Sequence, residues 1–199
     1  MTRIAPLPAD EVPADLQPLI DFAEQTMGFT ANDVMTMARW PELLQALAPM
    51  VGVIFSPGTV PMELKRLVAT IASAAAGCQY CVAHNALGLH QEGVAADKQA
   101  GIWEFDTDAA FNEAERAALN YARAAAQTPS AVTDADFSRL QSHFDAREIL
   151  EIAAVVSLFG FLNRWNAGLG TTLEAEPLEF AEHALGATGW SAGVHLPRR

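Results

Sequence analysis

The sequence predicts an all-α protein. Apolar residues recur with helical spacing along nearly the whole chain, while alternating β-type runs and Asn-Gly or Asp-Gly turns are absent. Capping residues, prolines at helix starts and glycines at helix ends punctuate these stretches. With 199 residues and 51% hydrophobic content, the chain is long enough to bury a core without staples. No flexible linker divides it, so residues 1–199 are predicted to form a single domain.

The N-terminal half divides into helices between clear start and stop signals. Gly28 ends the first helix, Asp33 caps the second, and Pro41 takes a first helical position in the third. Pro49 should end or kink that third helix, and Gly77 interrupts the next one. The predicted helices span residues 19–27, 33–39, 42–48, 62–76 and 78–90.

The C-terminal half carries stronger capping signals. Asn112 with Glu115, and Asp145 with Glu148, have the spacing of capping boxes, and Thr133 caps a shorter helix between them. The helix after Asp145 is apolar nearly all round, which is typical of a helix buried between layers or at a subunit contact. The predicted helices span residues 97–103, 113–127, 134–144, 146–167 and 177–185, and residues 187–199 are predicted to form an irregular tail.

Charge and hydropathy exclude several classes of partner. Twelve Lys and Arg against 24 Asp and Glu give a net charge of -12, and this field repels phosphate. Nucleic acid and anionic membranes are therefore not expected partners. No apolar run approaches the roughly 20 residues of a membrane span, and the N-terminus does not resemble a signal peptide. Two cysteines do not make a disulfide scaffold, so we predict a reducing, cytoplasmic location.

Both cysteines lie in one short segment, Gly-Cys-Gln-Tyr-Cys-Val-Ala-His-Asn, at residues 77–85. On a helix, Cys78, Cys81 and His84 share one face, because positions i and i+3 are neighbours. A helix N-terminus favours a thiolate, and an imidazole can take the thiol proton. A second thiol converts a sulfenic acid into a disulfide. The segment therefore predicts a nucleophile, a resolving partner and a base.

Other interpretations of this segment stay open. The cysteines could be two small buried hydrophobic residues, and His84 could be a hydrogen-bonded core histidine. A structural zinc ion needs four ligands, and only three lie in the segment, so we expect no metal and no cofactor.

A cluster of aromatic and polar residues lies in the long apolar helix. Phe159, Phe161 and Trp165 could wall a substrate cavity, with Asn163 and Arg164 as polar contacts. Core and interface packing is the favoured interpretation.

The helix 64–76 followed by Gly-Cys-x-Tyr-Cys-x-Ala-His resembles the carboxymuconolactone decarboxylase-like superfamily, and within it the alkyl hydroperoxidase D and peroxidase-related branch. The stretches 111–122 and 158–166 are similar to the second half of uncharacterised members. This resemblance implies an all-α fold of two related helical halves, assembled as a homo-oligomer (dimer, trimer or hexamer).

The resemblance also implies peroxide reduction by the cysteine pair. Cys81 would attack the peroxide, Cys78 would resolve the product, and a thioredoxin-like or lipoyl-bearing dithiol would restore both thiols. The usual base position is occupied by Asn85, one residue after His84. The usual relay glutamate is replaced by Arg66, and Glu63, one turn earlier on the same helix, is a candidate substitute.

The leading hypothesis is a thiol peroxidase that reduces hydrogen peroxide or organic hydroperoxides. A carboxymuconolactone decarboxylase-like lyase or isomerase is a second hypothesis, although the thiol-free branch performs that chemistry without a cysteine pair. A non-catalytic, redox-sensing oligomer is a third, because the usual glutamate is missing and the histidine is displaced.

Overall fold

The computed structural model describes residues 2–197, and these residues are helical with no β-strand. The predicted all-α class is confirmed. The helices are α1 (Gln17–Met27), α2 (Asn32–Met37), α3 (Pro41–Ile54), α4 (Met62–Ala75), α5 (Gln79–Gln91), α6 (Ala96–Ala100), α7 (Glu113–Ala125), α8 (Asp134–Gln141), α9 (Ala146–Leu169) and α10 (Ala175–Leu185). Short 3-10 turns span Ala9–Glu11, Gly101–Glu104, Gly186–Thr188 and Gly193–His195.

Helix α4 lies at the centre of the larger apolar core and packs against α5, α7 and α9. Leu67 and Val68 on α4 are fully buried there. Helices α1, α2 and α3 form a second apolar cluster, which Leu158 of α9 joins. Ile54 and Phe55 contact both clusters, so the N-terminal helices are packed onto the main core.

Helix α9 is 24 residues long and packs against α3, α4, α5, α7 and α8. Its predicted capping box is confirmed, because the Asp145 carboxylate accepts from two backbone N–H groups and Glu148 bonds back to the cap. The predicted box of Asn112 and Glu115 is present as well. Among residues 2–197, no helix is long and apolar enough to cross a membrane.

Most helix boundaries differ from the sequence prediction by a few residues, and at two positions a predicted helix signal acts differently in the structure. Pro49 was expected to end or kink α3, but the helix continues to Ile54. The proline ring lies on the exposed side, while Leu44 and Leu47 are buried in the second cluster and hold the helix in place. Asp33 does not cap α2; Ala31 holds the cap position and Asp33 lies in the first turn.

The turn between α4 and α5 sets the position of the first cysteine. Gly77 has a left-handed backbone with φ of 73°, and the Cys78 N–H donates to the Ser73 carbonyl at 3.0 Å. This reversal ends α4 and makes Cys78 the N-cap of α5. The glycine that interrupts the helical pattern therefore delivers the cysteine motif to a helix start.

Replacing Gly77 with alanine should lower the free energy of unfolding by about 1 kcal/mol. No atom lies within 4 Å of a Cβ at this position, so the left-handed backbone alone causes the loss. Gly168→Ala is the matched control: its site in α9 is equally open, and alanine there should add roughly 0.5–1 kcal/mol. Urea unfolding of both variants measures the difference, and a Gly77→Ala protein as stable as the wild type would contradict the expectation.

Candidate functional site

The two cysteines lie side by side at the N-terminus of α5. Cys78 is the N-cap and Cys81 is the third helical residue. Both are free thiols, and their exposed fractions are 0% and 3%. The sequence predicted that they share a helix start, and the structure adds that both sulfurs are buried beneath the surface.

The thiols differ in acidity because they share a hydrogen bond. Donation from the Cys81 thiol lowers the pKa of Cys78 to about 5, because this effect, together with that of His195, is larger than the rise that burial causes. Burial and the same donation raise the pKa of Cys81 well above its usual value. At neutral pH the proton therefore stays on Cys81, and Cys78 carries the thiolate.

His195 reaches Cys78 from the last 3-10 turn, Gly193–His195. Its imidazole is 2% exposed, and Nδ1 lies 2.7 Å from the Thr171 carbonyl oxygen. Because a carbonyl only accepts, Nδ1 must donate there, which leaves Nε2 to serve the Cys78 thiol. The sequence assigned this histidine to an irregular tail, and nothing in its local pattern connects it with residue 78. The last two residues of that predicted tail lie outside the described part of the chain.

His84 belongs to an adjoining polar cluster. Its Nε2 lies 2.7 Å from Glu174 Oε2, and its ring stacks on Tyr80 with centroids 4.3 Å apart. The Tyr80 hydroxyl donates to Glu174 Oε1 at 2.7 Å. Burial would raise the pKa of Glu174, but the bonds from His84, Asn32 and Tyr80 hold it below its usual value. His84 is thus paired with a carboxylate, and the carboxylate comes from the segment before α10.

Asn166 and Asp33 connect α9 and α2 with the second cysteine. The Asn166 amide Nδ2 donates to Asp33 Oδ2 at 3.2 Å and lies 3.5 Å from Cys81 Sγ. Burial raises the pKa of Asp33; the charge of Glu174 adds to this effect, while His84 and the Asn166 bond oppose it. The Tyr80 hydroxyl accepts from the Asp33 N–H at 3.3 Å. This bond connects the cluster of His84, Tyr80 and Glu174 with the pair of Asn166 and Asp33.

Glu63 is not part of this cluster. It lies in the first turn of α4, and its carboxylate is 2.7 Å from Lys98 Nζ. The Cys78 N–H bonds the Ser73 carbonyl, and Glu63 lies ten residues before Ser73, which is about 15 Å along the axis of α4. The acid beside His84 is Glu174, which is 90 residues away in sequence and shares no local motif with it. The relay role expected of Glu63 is therefore corrected: in this chain Glu174 holds the histidine.

The two positions that depart from the family pattern have structural roles. The Asn85 amide donates to the Cys81 carbonyl at 2.9 Å, a bond within α5 that moves no thiol proton. The Arg66 guanidinium lies over the Phe55 ring, 4.8 Å from its centroid, and packs against Gly88. Arg66 thus packs between helices and is partly buried.

The aromatic and polar residues of α9 divide between the apolar core, the surface and the wall of a cavity. Phe159 is buried in the main core, as the packing interpretation expected, and Phe161 stacks on Trp165 near the surface. Asn163 and Arg164, however, line a cavity of about 410 Å³ beside the α4–α5 turn. Among residues 2–197, no group of three His, Cys, Asp or Glu side chains is placed to hold a metal ion.

This fold and cysteine site define a class of helical dithiol proteins. Residues 41–124 match the carboxymuconolactone decarboxylase family, and this segment includes both cysteines and His84. Solved peroxidase-related proteins from Silicibacter sp. TM1040 and Ralstonia eutropha JMP134, the latter an alkylhydroperoxidase AhpD core, share the fold. Each has a TM-score of 0.77 at 22% identity; they cover 88% and 98% of this chain, which in turn covers 93% and 98% of theirs. Residues 41–124 are thus similar to the carboxymuconolactone decarboxylase family, and the chain has the fold of the AhpD-like peroxidase-related proteins.

Two further proteins are similar over most of the chain. A cysteine-to-alanine variant of the debrominase Bmp8, in complex with 2,3,4-tribromopyrrole, is 34% identical with a TM-score of 0.87. The match covers 92% of this chain and 98% of Bmp8. The uncharacterised protein YnjA of Escherichia coli K12 is 26% identical over 164 residues, which are 81% of this chain and 90% of YnjA.

Alkylation of Cys78 by iodoacetamide should be half-maximal near pH 5, because its pKa is about 5. The pKa is depressed, so the thiolate persists above that pH and is lost as the pH falls through it. His195→Gln should shift the midpoint upward, since the cationic partner is removed. His183→Gln, at an exposed histidine, is the control. Peptide mass spectrometry measures the modified sulfur, and a wild-type midpoint near 8.5 would contradict activation.

Proposed function

We propose that the chain is a thiol-dependent reductase in which Cys78 and Cys81 pass two electrons to a small electrophile, with hydroperoxides as the substrate. The observation that carries this proposal is the placement of both cysteines at the buried N-terminus of α5, where the Cys81 thiol and His195 lower the pKa of Cys78 to about 5. The two thiols are three residues apart at one helix start, the spacing of a Cys-x-x-Cys pair that can form a disulfide. The cluster thus unites a nucleophile, a resolving thiol and a proton carrier.

The first step is attack on the terminal peroxide oxygen. The Cys78 sulfur forms a bond to that oxygen, the O–O bond breaks, and Cys78 becomes a sulfenic acid. The departing alkoxide takes a proton from the His195 imidazolium and leaves as an alcohol. The sulfur is oxidised by two electrons and the peroxide is reduced by two.

The second step forms the disulfide. Cys81 sulfur attacks Cys78 sulfur, the S–O bond breaks, and the hydroxyl leaves with the Cys81 proton as water. An external dithiol, thioredoxin-like or lipoyl-bearing, then exchanges with the protein disulfide and restores both thiols. A reducing compartment such as the cytoplasm supplies donors of this kind.

This assignment reverses the roles implied by the family resemblance, in which Cys81 attacks and Cys78 resolves. Burial and its donation to Cys78 keep Cys81 protonated, and a protonated thiol is a poor nucleophile. The neighbouring groups of Cys81 are the Asn166 amide and the carboxyl group of Asp33, neither of which is cationic. The groups around Cys78, which are the Cys81 thiol and His195, favour a negative charge on its sulfur.

Reductive dehalogenation is a second candidate, favoured by the similarity to Bmp8 over 98% of that chain. The same thiolate would attack bromine on an electron-rich ring, the C–Br bond would break, and the ring carbon would take a proton. Cys81 would then displace bromide from the sulfenyl bromide and form the same disulfide. Both reactions consume one dithiol per substrate.

Mixing the reduced protein with cumene hydroperoxide should consume both thiols and form one intramolecular disulfide. Cys78→Ser should be unreactive, whereas Cys81→Ser should accumulate a sulfenic acid on Cys78 that dimedone traps. Thiol counting and peptide mass spectrometry measure these outcomes. Parallel incubation with a bromopyrrole, read by bromide release, tests the second candidate.

Three results distinguish the alternatives. Survival of both thiols with every electrophile would refute the reductase proposal and favour a protein without thiol chemistry. A sulfenic acid found on Cys81 in Cys78→Ser would restore the roles implied by the family resemblance. Turnover of a cyclic acid after both thiols are alkylated would instead support the lyase alternative.

A further inference from the structure

We propose that Asn166 binds the sulfenic acid that forms on Cys78, holds it for attack by Cys81, and so protects the dithiol from further oxidation. This inference rests on the proposed function, because it concerns the intermediate between its two steps. Asn166 lies in the last turn of α9 and is fully buried. Its side chain contacts a reacting sulfur directly, since Nδ2 lies 3.5 Å from Cys81 Sγ.

The orientation of the Asn166 carboxamide is fixed by α2. Asp33 Oδ2 accepts from Asn166 Nδ2 at 3.2 Å, and Asp33 Oδ1 accepts from the Val34 N–H at 2.8 Å. An ionised carboxylate only accepts, so the amide nitrogen of Asn166 must face Asp33 and Cys81. The carbonyl oxygen Oδ1 belongs to the same small planar group and is therefore held next to the dithiol.

This carbonyl oxygen has no hydrogen-bond partner among residues 2–197, although the side chain is 0% exposed. Buried polar atoms are nearly always bonded, and an apolar side chain would suit this helix at lower cost. Thr171 shows the same deficit: its Oγ1 is buried and unpartnered, while its carbonyl oxygen lies 2.7 Å from His195 Nδ1 and its N–H donates to the Asn166 backbone carbonyl. The reduced site therefore has unused hydrogen-bonding capacity that a later state of the reaction can fill.

A sulfenic acid on Cys78 supplies the missing donor. In the first step proposed above, the Cys78 sulfur gains an oxygen, and the resulting S–O–H group can donate its proton. Cys78 and Cys81 share one face at the start of α5, so the new hydroxyl forms beside the sulfur that Asn166 contacts. Its donation to Asn166 Oδ1 satisfies the buried acceptor and fixes the position of the hydroxyl.

The same carboxamide assists the second step. The Cys81 sulfur attacks the Cys78 sulfur, the S–O bond breaks, and the hydroxyl leaves with the Cys81 proton as water. The Cys81 sulfur gains negative charge as it gives up this proton, and the Asn166 Nδ2–H beside it stabilises that charge. One side chain thus contacts both partners of the disulfide-forming step.

Overoxidation is the reaction that competes with disulfide formation. The sulfenic sulfur of Cys78 can attack a second hydroperoxide, whose O–O bond breaks. The sulfur is then oxidised by two more electrons to a sulfinic acid, while the hydroperoxide is reduced to an alcohol, or to water in the case of hydrogen peroxide. The rate of this route rises with the peroxide concentration, whereas the attack of Cys81 is intramolecular. By accelerating that attack, Asn166 sets the peroxide concentration that the dithiol survives.

The test is a titration of the reduced protein with hydrogen peroxide in the absence of an external dithiol. In Asn166→Leu, the concentration that converts half of Cys78 to sulfinic acid should fall roughly tenfold, while the initial rate of Cys78 oxidation stays unchanged. Asn166→Ala should behave alike and serves if leucine disturbs the fold. Asn163→Leu is the matched control, because Asn163 is also a buried, unpartnered carboxamide of α9 but forms no hydrogen bond to a sulfur. Peptide mass spectrometry after timed quenching measures both quantities.

The outcomes separate this inference from the proposed function. If the wild type forms the disulfide but the half-sulfinic concentration is unchanged in both Asn166 variants, the inference is wrong and the reductase proposal stands. Equal slowing of the first and second steps would indicate a structural role for Asn166 and would also overturn the inference. If peroxide leaves both wild-type thiols intact, the reductase proposal itself fails.

A crystal structure of Cys81→Ser treated with equimolar hydrogen peroxide would locate the intermediate directly. The sulfenic hydroxyl of Cys78 is expected within hydrogen-bonding distance of Asn166 Oδ1. A hydroxyl bonded to His195 instead, with Asn166 Oδ1 still unpartnered, would contradict the proposed role.

Discussion

One shared proton between two buried sulfurs is the interaction on which the site depends. An isolated thiol in this apolar setting would keep its proton, because burial disfavours the charged form. The Cys81 thiol provides the missing stabilisation by donating to Cys78, and His195 adds a cationic partner. The two thiols therefore differ in pKa although they are only three residues apart: the pKa of Cys78 is lowered and that of Cys81 is raised. Neither property belongs to a single residue.

Glu174 holds this arrangement together from outside the motif. Its Oε1 accepts from the Asn32 N–H at the start of α2 and from the Tyr80 hydroxyl, and its Oε2 lies 2.7 Å from His84 Nε2 on α5. Three separate parts of the chain thus meet at one buried carboxylate. Charged hydrogen bonds of this kind are stronger than neutral ones, which suits a residue that must fix the orientation of α5 against the N-terminal helices.

The features predictable from the sequence are those that local physics decides. Helical spacing and the capping residues Asn112 and Asp145 were sufficient for the fold class, because a cap acts within one turn of itself. The cysteine motif was visible for the same reason. His195, Glu174 and Asn166 were not identified as site residues, since each reaches the cysteines only through tertiary packing. Glu63 was wrongly predicted as the relay acid because residues spaced by one turn are neighbours on the same helix. That spacing gives no information about which side chains a different helix brings to the site.

The origin of His195 has a consequence for how such proteins can diversify. Both thiols lie at the start of α5, whereas the histidine that helps to lower the pKa of Cys78 lies on a short turn after α10. A change in this final segment would therefore alter the pKa and the reactivity of Cys78 without changing the helices that carry the two thiols. In this architecture the cysteine pair and the histidine that adjusts its acidity lie on separate stretches of the polypeptide, which can vary independently.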